Sequence, residues 1–139
     1  MKILLVNGSP HKRGCTHTAL SLVGEAAQVA GVESDEFWIG AKPISGCIAC
    51  GACSHGQGCC IHDKVGEFLE IAGGYDGYVF GSPVHFAGPA GNMKSFLDRA
   101  FFSNSYSDAP VTFALKPAAC VVSARRGGKT LVRTLVKWA

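Results

Sequence analysis

Gly77–Arg99 reads GYVFGSPVHFAGPAGNMKSFLDR. Its first five residues, Gly77–Gly81, form the short apolar run of a buried strand, and the Ser-Pro pair that follows opens a loop. From Gly91 to Phe102, the residues Met93, Phe96, Leu97, Ala100 and Phe101 recur at helical spacing. Strand, loop and helix in this order make half of a parallel crossover unit, so the question is whether the order repeats.

It does. Lys2–Val6 is a second such apolar run, ending at Asn7-Gly8-Ser9. A helix is predicted from Thr16 to Ala30, with Ala19, Leu22, Val23, Ala26, Ala27 and Ala30 as its apolar face and Gly31 as its stop. Glu33–Ile39 is a further strand. Asp63 is placed to cap a helix over Lys64–Ala72, whose Val65, Phe68, Leu69 and Ala72 share a face, with Gly73-Gly74 after it. Ala118–Val122 is the fourth strand, followed by SARRGGK and a last helix over Lys129–Ala139. The expected architecture is α/β, one domain over residues 1–139. Its doubly wound parallel sheet has helices on both faces and right-handed crossovers.

Composition agrees. The 139 residues suffice for one core, 47% of them are hydrophobic, and only 17% are charged. A net charge of +3, from scattered basic residues, gives no footprint for nucleic acid. No apolar run nears the roughly 20 residues of a membrane span. The apolar run at the N-terminus is shorter than the ~7–15 residues of a signal-peptide core. A cytoplasmic location is therefore expected, where structural disulfides are disfavoured.

In an open parallel sheet, ligands bind beyond the carboxyl ends of the strands. Three loops lie there. GSPHKRGCTHT, Gly8–Thr18, runs straight into a helix and offers hydroxyls, glycines and free helix-start N–H groups. It has neither a Walker ending nor a G-x-G-x-x-G fingerprint, and suits a phosphate monoester such as that of a mononucleotide. An ordinary capped strand-to-helix turn is the plain alternative. Pro83, Val84, His85 and Phe86 put apolar and aromatic groups at the same edge, either against a flat ring or simply against the next helix. SARRGG supplies backbone groups and two arginines on the far side.

The stretch Gly46–Cys60, GCIACGACSHGQGCC, holds five of the seven cysteines. Three thiols at intervals of three curl around one compact object, and compact C-x2-C-x2-C runs mark 4Fe–4S ligation in bacterial ferredoxins. Zinc sites more usually set two C-x2-C pairs apart by a longer spacer. Unmetallated or redox-active thiols and zinc stay open beside the cluster. Cys15 and Cys120 stand apart, the latter as a core thiol.

The segments NGSPHKRGCTHT, SGCIACGACSHGQGCCIHD, YDGYVFGSPVHFAGPAGNMKSFLDR and SARRGG closely resemble those of the flavodoxin-like NAD(P)H-dependent FMN reductase superfamily. They are most similar to its iron–sulfur flavoprotein branch. The resemblance implies a flavodoxin-like sheet of order 2-1-3-4, with the cysteine-rich residues 46–60 as an insertion. It also implies an FMN site. Ser9, His11, Gly14, Cys15 and Thr16 match the phosphate loop; Pro83, Val84, His85 and Phe86 border the isoalloxazine ring; Ser123, Arg125, Gly127 and Gly128 form the third loop. The family often has arginine at the position of His11 and asparagine at that of Cys15, which implies a weaker phosphate grip or help from Lys12 or Arg13.

In that branch a similar cysteine run holds a 4Fe–4S cluster. The resemblance places Cys47, Cys50, Cys53 and Cys59 as its ligands, with Cys60 the alternate for the fourth. The function so implied is an FMN-dependent oxidoreductase or electron-transfer flavoprotein. It would pass electrons from NAD(P)H or ferredoxin to a small acceptor such as a quinone, with no side chain needed as catalytic acid or base. A flavodoxin-like carrier without its own substrate is the alternative, as is an FMN reductase lacking the cluster. Members usually carry a fifth strand and a final helix, whereas this sequence stops at LVRTLVKWA. An uncovered fourth strand would associate with a partner, so the expectation is a truncated relative or, preferably, a homo-oligomer.

Overall fold

A computed structural model describes residues 1–56, 58–105 and 112–125. Strands β1 (Lys2–Asn7), β2 (Glu33–Trp38), β3 (Gly77–Pro83) and β4 (Ala118–Ser123) alternate with helices α1 (Cys15–Val29), α2 (Lys64–Ala72) and α3 (Gly91–Ser105). The strands pair in parallel, in the order β2-β1-β3-β4, with Ile3 opposite Gly77 and Tyr78 opposite Ala118. The sheet has the predicted flavodoxin-like order. The last predicted helix, 129–139, lies outside the described residues, as do Gly127 and Gly128.

Side chains of a strand alternate between its faces, and here the alternation sorts them into two cores. Leu4 and Val6 of β1, Tyr78 and Phe80 of β3, and Cys120 and Val122 of β4 face α2 and α3. Leu5, Val79 and Val121 face the other way, onto Leu20 of α1. The first core is larger and aromatic. Phe68 of α2 and Phe96 of α3 are wholly buried and meet edge to face, with centroids 4.9 Å apart. Such a pair contributes about 0.5–1.5 kcal/mol beyond the area it buries.

Asp63 caps α2 as expected, its Oδ1 accepting from the Val65 N–H at 3.0 Å. Gly73 ends that helix in a right-handed conformation, φ −56°, so the turn there does not use glycine's left-handed freedom. The face of α1 differs from the one expected. Its buried stripe is Thr16, Leu20 and Gly24, whereas Leu22, Ala26 and Ala30 are exposed. Gly24 belongs inside because a side chain there would crowd Ser34 and Leu5. Cys120 is only half-buried; burial still pushes its thiol pKa up.

Candidate functional site

The three loops at the carboxyl edge are tied together chiefly through Ser123, the last residue of β4. Its carbonyl accepts from the Val84 N–H at 2.9 Å, and its hydroxyl lies 3.2 Å from that of Thr16. The Gly8 N–H reaches the Gly81 carbonyl at 2.8 Å. A Cβ on Gly8 would stand 2.9 Å from that oxygen, so only glycine lets β1 and β3 end this close together.

The first loop is shaped from within by Asn7, which is fully buried. Its Oδ1 accepts from the Ser9 N–H at 3.0 Å, and its Nδ2 donates to the Lys12 carbonyl at 3.2 Å and to Glu36 at 2.7 Å. Glu36 also holds His17 at 2.7 Å, and the Trp38 indole N–H donates to the Ser9 carbonyl at 2.8 Å. Ser9 is buried, with its hydroxyl accepting from the His11 N–H at 3.1 Å. His11 itself is exposed, and Cys15 is the exposed first residue of α1. Gly14 caps α1 with extended backbone and no side-chain hydrogen bond, leaving the N–H groups of the first turn without a side-chain acceptor.

On the second loop Pro83 and Val84 are half-buried, while His85 is exposed and Phe86 almost entirely so, at 97%. The loop closes on itself through the bridge of Val84 to Pro89 and the His85 N–H to Gly88 carbonyl bond. Ser82 holds its end, accepting from the Ala90 N–H at 3.0 Å. Arg125 is exposed on the third loop.

All five cysteines of the 47–60 segment line one pocket, together with Ile48, Arg99 and Phe102. Cys53 is buried, Cys59 half-buried, and Cys47, Cys50 and Cys60 exposed. The backbone turns repeatedly to bring them round. Ala49 takes the left-handed region at φ 52°, and its N–H points to the Cys47 sulfur at 3.5 Å; Gly51 is left-handed also. Cys50 and Cys60 stand 3.2 Å apart, sulfur to sulfur. Hydrogen bonding, led by the backbone at Ala52, draws the Cys50 thiol pKa down, and the Cys50 contact pushes that of Cys60 up.

Among the described residues, no three His, Cys, Asp or Glu side chains converge as a single metal ion requires. The thiols surround a space rather than a point, and no carboxylate or imidazole lines it. That donor set fits a bulky group held by thiolates, as an iron–sulfur cluster is, better than it fits a lone zinc.

The segment is fastened to α3 at two places. Asn92, in the first turn, accepts from the Ile44 N–H at 3.1 Å and donates to the Lys42 carbonyl at 2.8 Å. Arg99, further along, is 1% exposed and pairs with Asp63 at 2.6 Å. Sequence reasoning passed over Asn7, Glu36, Trp38, Asn92 and Arg99. For Arg99 a signal existed: it falls on the buried stripe of Phe96, Ala100 and Ser103, where a charge must find partners.

Comparison with known proteins gives a family and a fold. The family model described as NADPH-dependent FMN reductase matches residues 1–139. An iron-sulfur flavoprotein of Methanosarcina thermophila is 30% identical over 133 residues, 93% of this chain and 67% of that one. Another, from Methanocaldococcus jannaschii, is 32% identical over 100 residues, covering 72% of this chain and 52% of the relative. The chain thus spans between half and two thirds of the length of these curated relatives. Among solved structures, RosB with a bound 8-demethyl-8-formylriboflavin-5'-phosphate intermediate superposes with a TM-score of 0.77 at 13% identity. That match covers 99% of this chain and 58% of the other. An NAD(P)H:quinone oxidoreductase from Methanothermobacter marburgensis gives 0.71 at 16% identity, over 99% and 71% of the two chains. At such identities the structures speak for the fold alone.

Proposed function

The chain belongs to the NADPH-dependent FMN reductase family, and on that premise we propose that it is an FMN-dependent oxidoreductase domain carrying a cysteine-held 4Fe–4S cluster. The observation that carries the reading is the pairing of two sites on one helix. The loop after β3 leads into α3, and further along the same helix Arg99 lines the pocket of five thiols. Residues 1–139 act as a single flavin-binding domain, with 46–60 as its cluster-binding insertion.

In this reading the phosphate lies against the first turn of α1, where N–H groups without a side-chain acceptor and the positive end of the helix favour an anion. Ser9, Gly14 and Thr16 shape that turn, while Cys15 sits on it. His11, Lys12 and Arg13, exposed beside it, supply positive charge. Pro83, Val84, His85 and Phe86 border the ring, and Ser123, Arg125, Gly127 and Gly128 close the far side. Cys47, Cys50, Cys53 and Cys59 hold the cluster.

Bound FMN accepts a two-electron equivalent and releases electrons singly, and a cluster carries them one at a time. The chain's own residues then need only bind, orient and shield. The exposed Phe86 offers an apolar cover for a ring or for a flat acceptor. The donor proposed is NAD(P)H or ferredoxin, and the acceptor a quinone-like small molecule.

The test is a steady-state assay on anaerobically reconstituted protein. Oxidation of NADPH or NADH that depends on added quinone is the expected result. Flavin and cluster both present, with no turnover by either nucleotide but reduction by ferredoxin, would replace the enzyme with an electron carrier.

A further inference from the structure

Arg99 is the largest fully buried side chain among the described residues, and a guanidinium is seldom placed there without a task. Its five N–H groups are all used. Nη1 and Nη2 grip the two oxygens of Asp63 at 2.6 and 3.0 Å. The Ser45 and Ile61 carbonyls take further bonds at 3.4 and 2.8 Å. Nε and Nη2 both point to the sulfur of Cys59, at 3.4 and 3.3 Å. A salt bridge to Asp63 alone would not require that second fork.

The neighbouring Cys60 is treated differently. It is exposed, and the contact described for its sulfur is the Cys50 thiol at 3.2 Å. Of two adjacent cysteines, one has a cation and two donors aimed at its sulfur and the other has another thiol. A thiolate that ligates metal is an anion, and charge-assisted hydrogen bonds from a buried guanidinium both hold it and lower its electron density.

We propose that Arg99 is a positioning residue that designates Cys59, rather than Cys60, as the fourth thiolate of the cluster and raises the cluster's reduction potential through its two N–H bonds to that sulfur. The inference rests on the reading that these thiols hold an iron–sulfur cluster. Hydrogen bonds to ligand sulfurs are among the determinants of cluster potential, because they stabilise the more negative, reduced state. Since Arg99 also fixes Ser45, Ile61 and Asp63, it sets both flanks of the cysteine segment against α3 at once.

The experiment uses the full chain, reconstituted anaerobically with iron, sulfide and FMN. Iron per chain and the cluster's midpoint potential are measured for the parent and for Cys59→Ser, Cys60→Ser, Arg99→Gln and Arg99→Lys. The parent and Cys60→Ser should hold about four irons each, whereas Cys59→Ser should lose most of them. Arg99→Gln should make the loaded cluster about tenfold harder to reduce at a fixed potential, a fall of about 59 mV for one electron. Arg99→Lys, which keeps the charge without the fork, should fall part of the way.

A loaded Arg99→Gln protein with the parent's potential overturns the proposal. So does a cluster kept by Cys59→Ser and lost by Cys60→Ser. If Arg99→Gln does not fold, the potential of Arg99→Lys decides, and an unchanged value counts against the assignment. A parent protein that takes up no iron removes the cluster reading itself, an outcome distinct from a loaded parent whose Arg99 variants behave alike.

Discussion

Tyr78 sits in the middle of β3 with its ring in the aromatic core and its hydroxyl donating to the Ala72 carbonyl at 2.7 Å. That bond closes the C-terminal end of α2 onto the sheet. Burial pushes its pKa up to about 12, with Asp76 adding a smaller push in the same direction. The ordinary tyrosine value is about 10. A folded-state pKa above the unfolded one means that the fold favours the neutral phenol. Its contribution is complete below about pH 10 and is lost as pH rises towards about 12. Urea midpoints measured from pH 9 to 12 should therefore fall more steeply for the parent than for Tyr78→Phe. At neutral pH the variant should be less stable by about 1 kcal/mol, the worth of one hydrogen bond. Parallel curves across the alkaline range would mean that Tyr78 is not the group concerned.

Among the elements, the seam between α1 and β3 is the tightest. A Cβ built on Gly81 would lie 2.7 Å from the Leu20 Cδ1 and 2.8 Å from the Thr16 Cγ2. Gly81→Ala should cost about 1–3 kcal/mol through overpacking, and should also loosen FMN because Thr16 is the residue displaced. Gly66→Ala is the control, since nothing lies within 4 Å of its added methyl on α2. It should be neutral or stabilising by up to about 1 kcal/mol on helix propensity. A Gly81→Ala protein as stable as Gly66→Ala would contradict the close packing. The sequence made the elements readable to within a few residues, because apolar spacing and the Asp63 cap are local signals. The face of α1 was not readable in the same way. Its alanines suit either side of a helix, and the deciding contact, Gly24 against Ser34 and Leu5, joins residues distant in the chain.

Across the whole molecule, the carboxyl edge is assembled by long-range bonds that converge on Ser123 and Asn7. The three loops were legible as loops, since turn residues and strand ends announce themselves. What holds them together was not. Asn7 read as part of a turn, yet it is buried and bonds Ser9, Lys12 and Glu36 from β1 to β2. Arg99 read as one residue of an amphipathic helix, yet it reaches Cys59 and Asp63, 40 and 36 positions away. α3 joins the loop after β3 to the thiol pocket, so one rigid element fixes both proposed sites.

The central claim is that this edge binds a flavin through its phosphate. It is tested most directly by isothermal titration of the flavin-free chain with FMN and, in parallel, with riboflavin. The account predicts saturation near one FMN per chain and riboflavin binding weaker by at least about tenfold, since only FMN carries the anion that the first turn of α1 would hold. Absence of saturable FMN binding, or equal affinity for the two flavins, would contradict it.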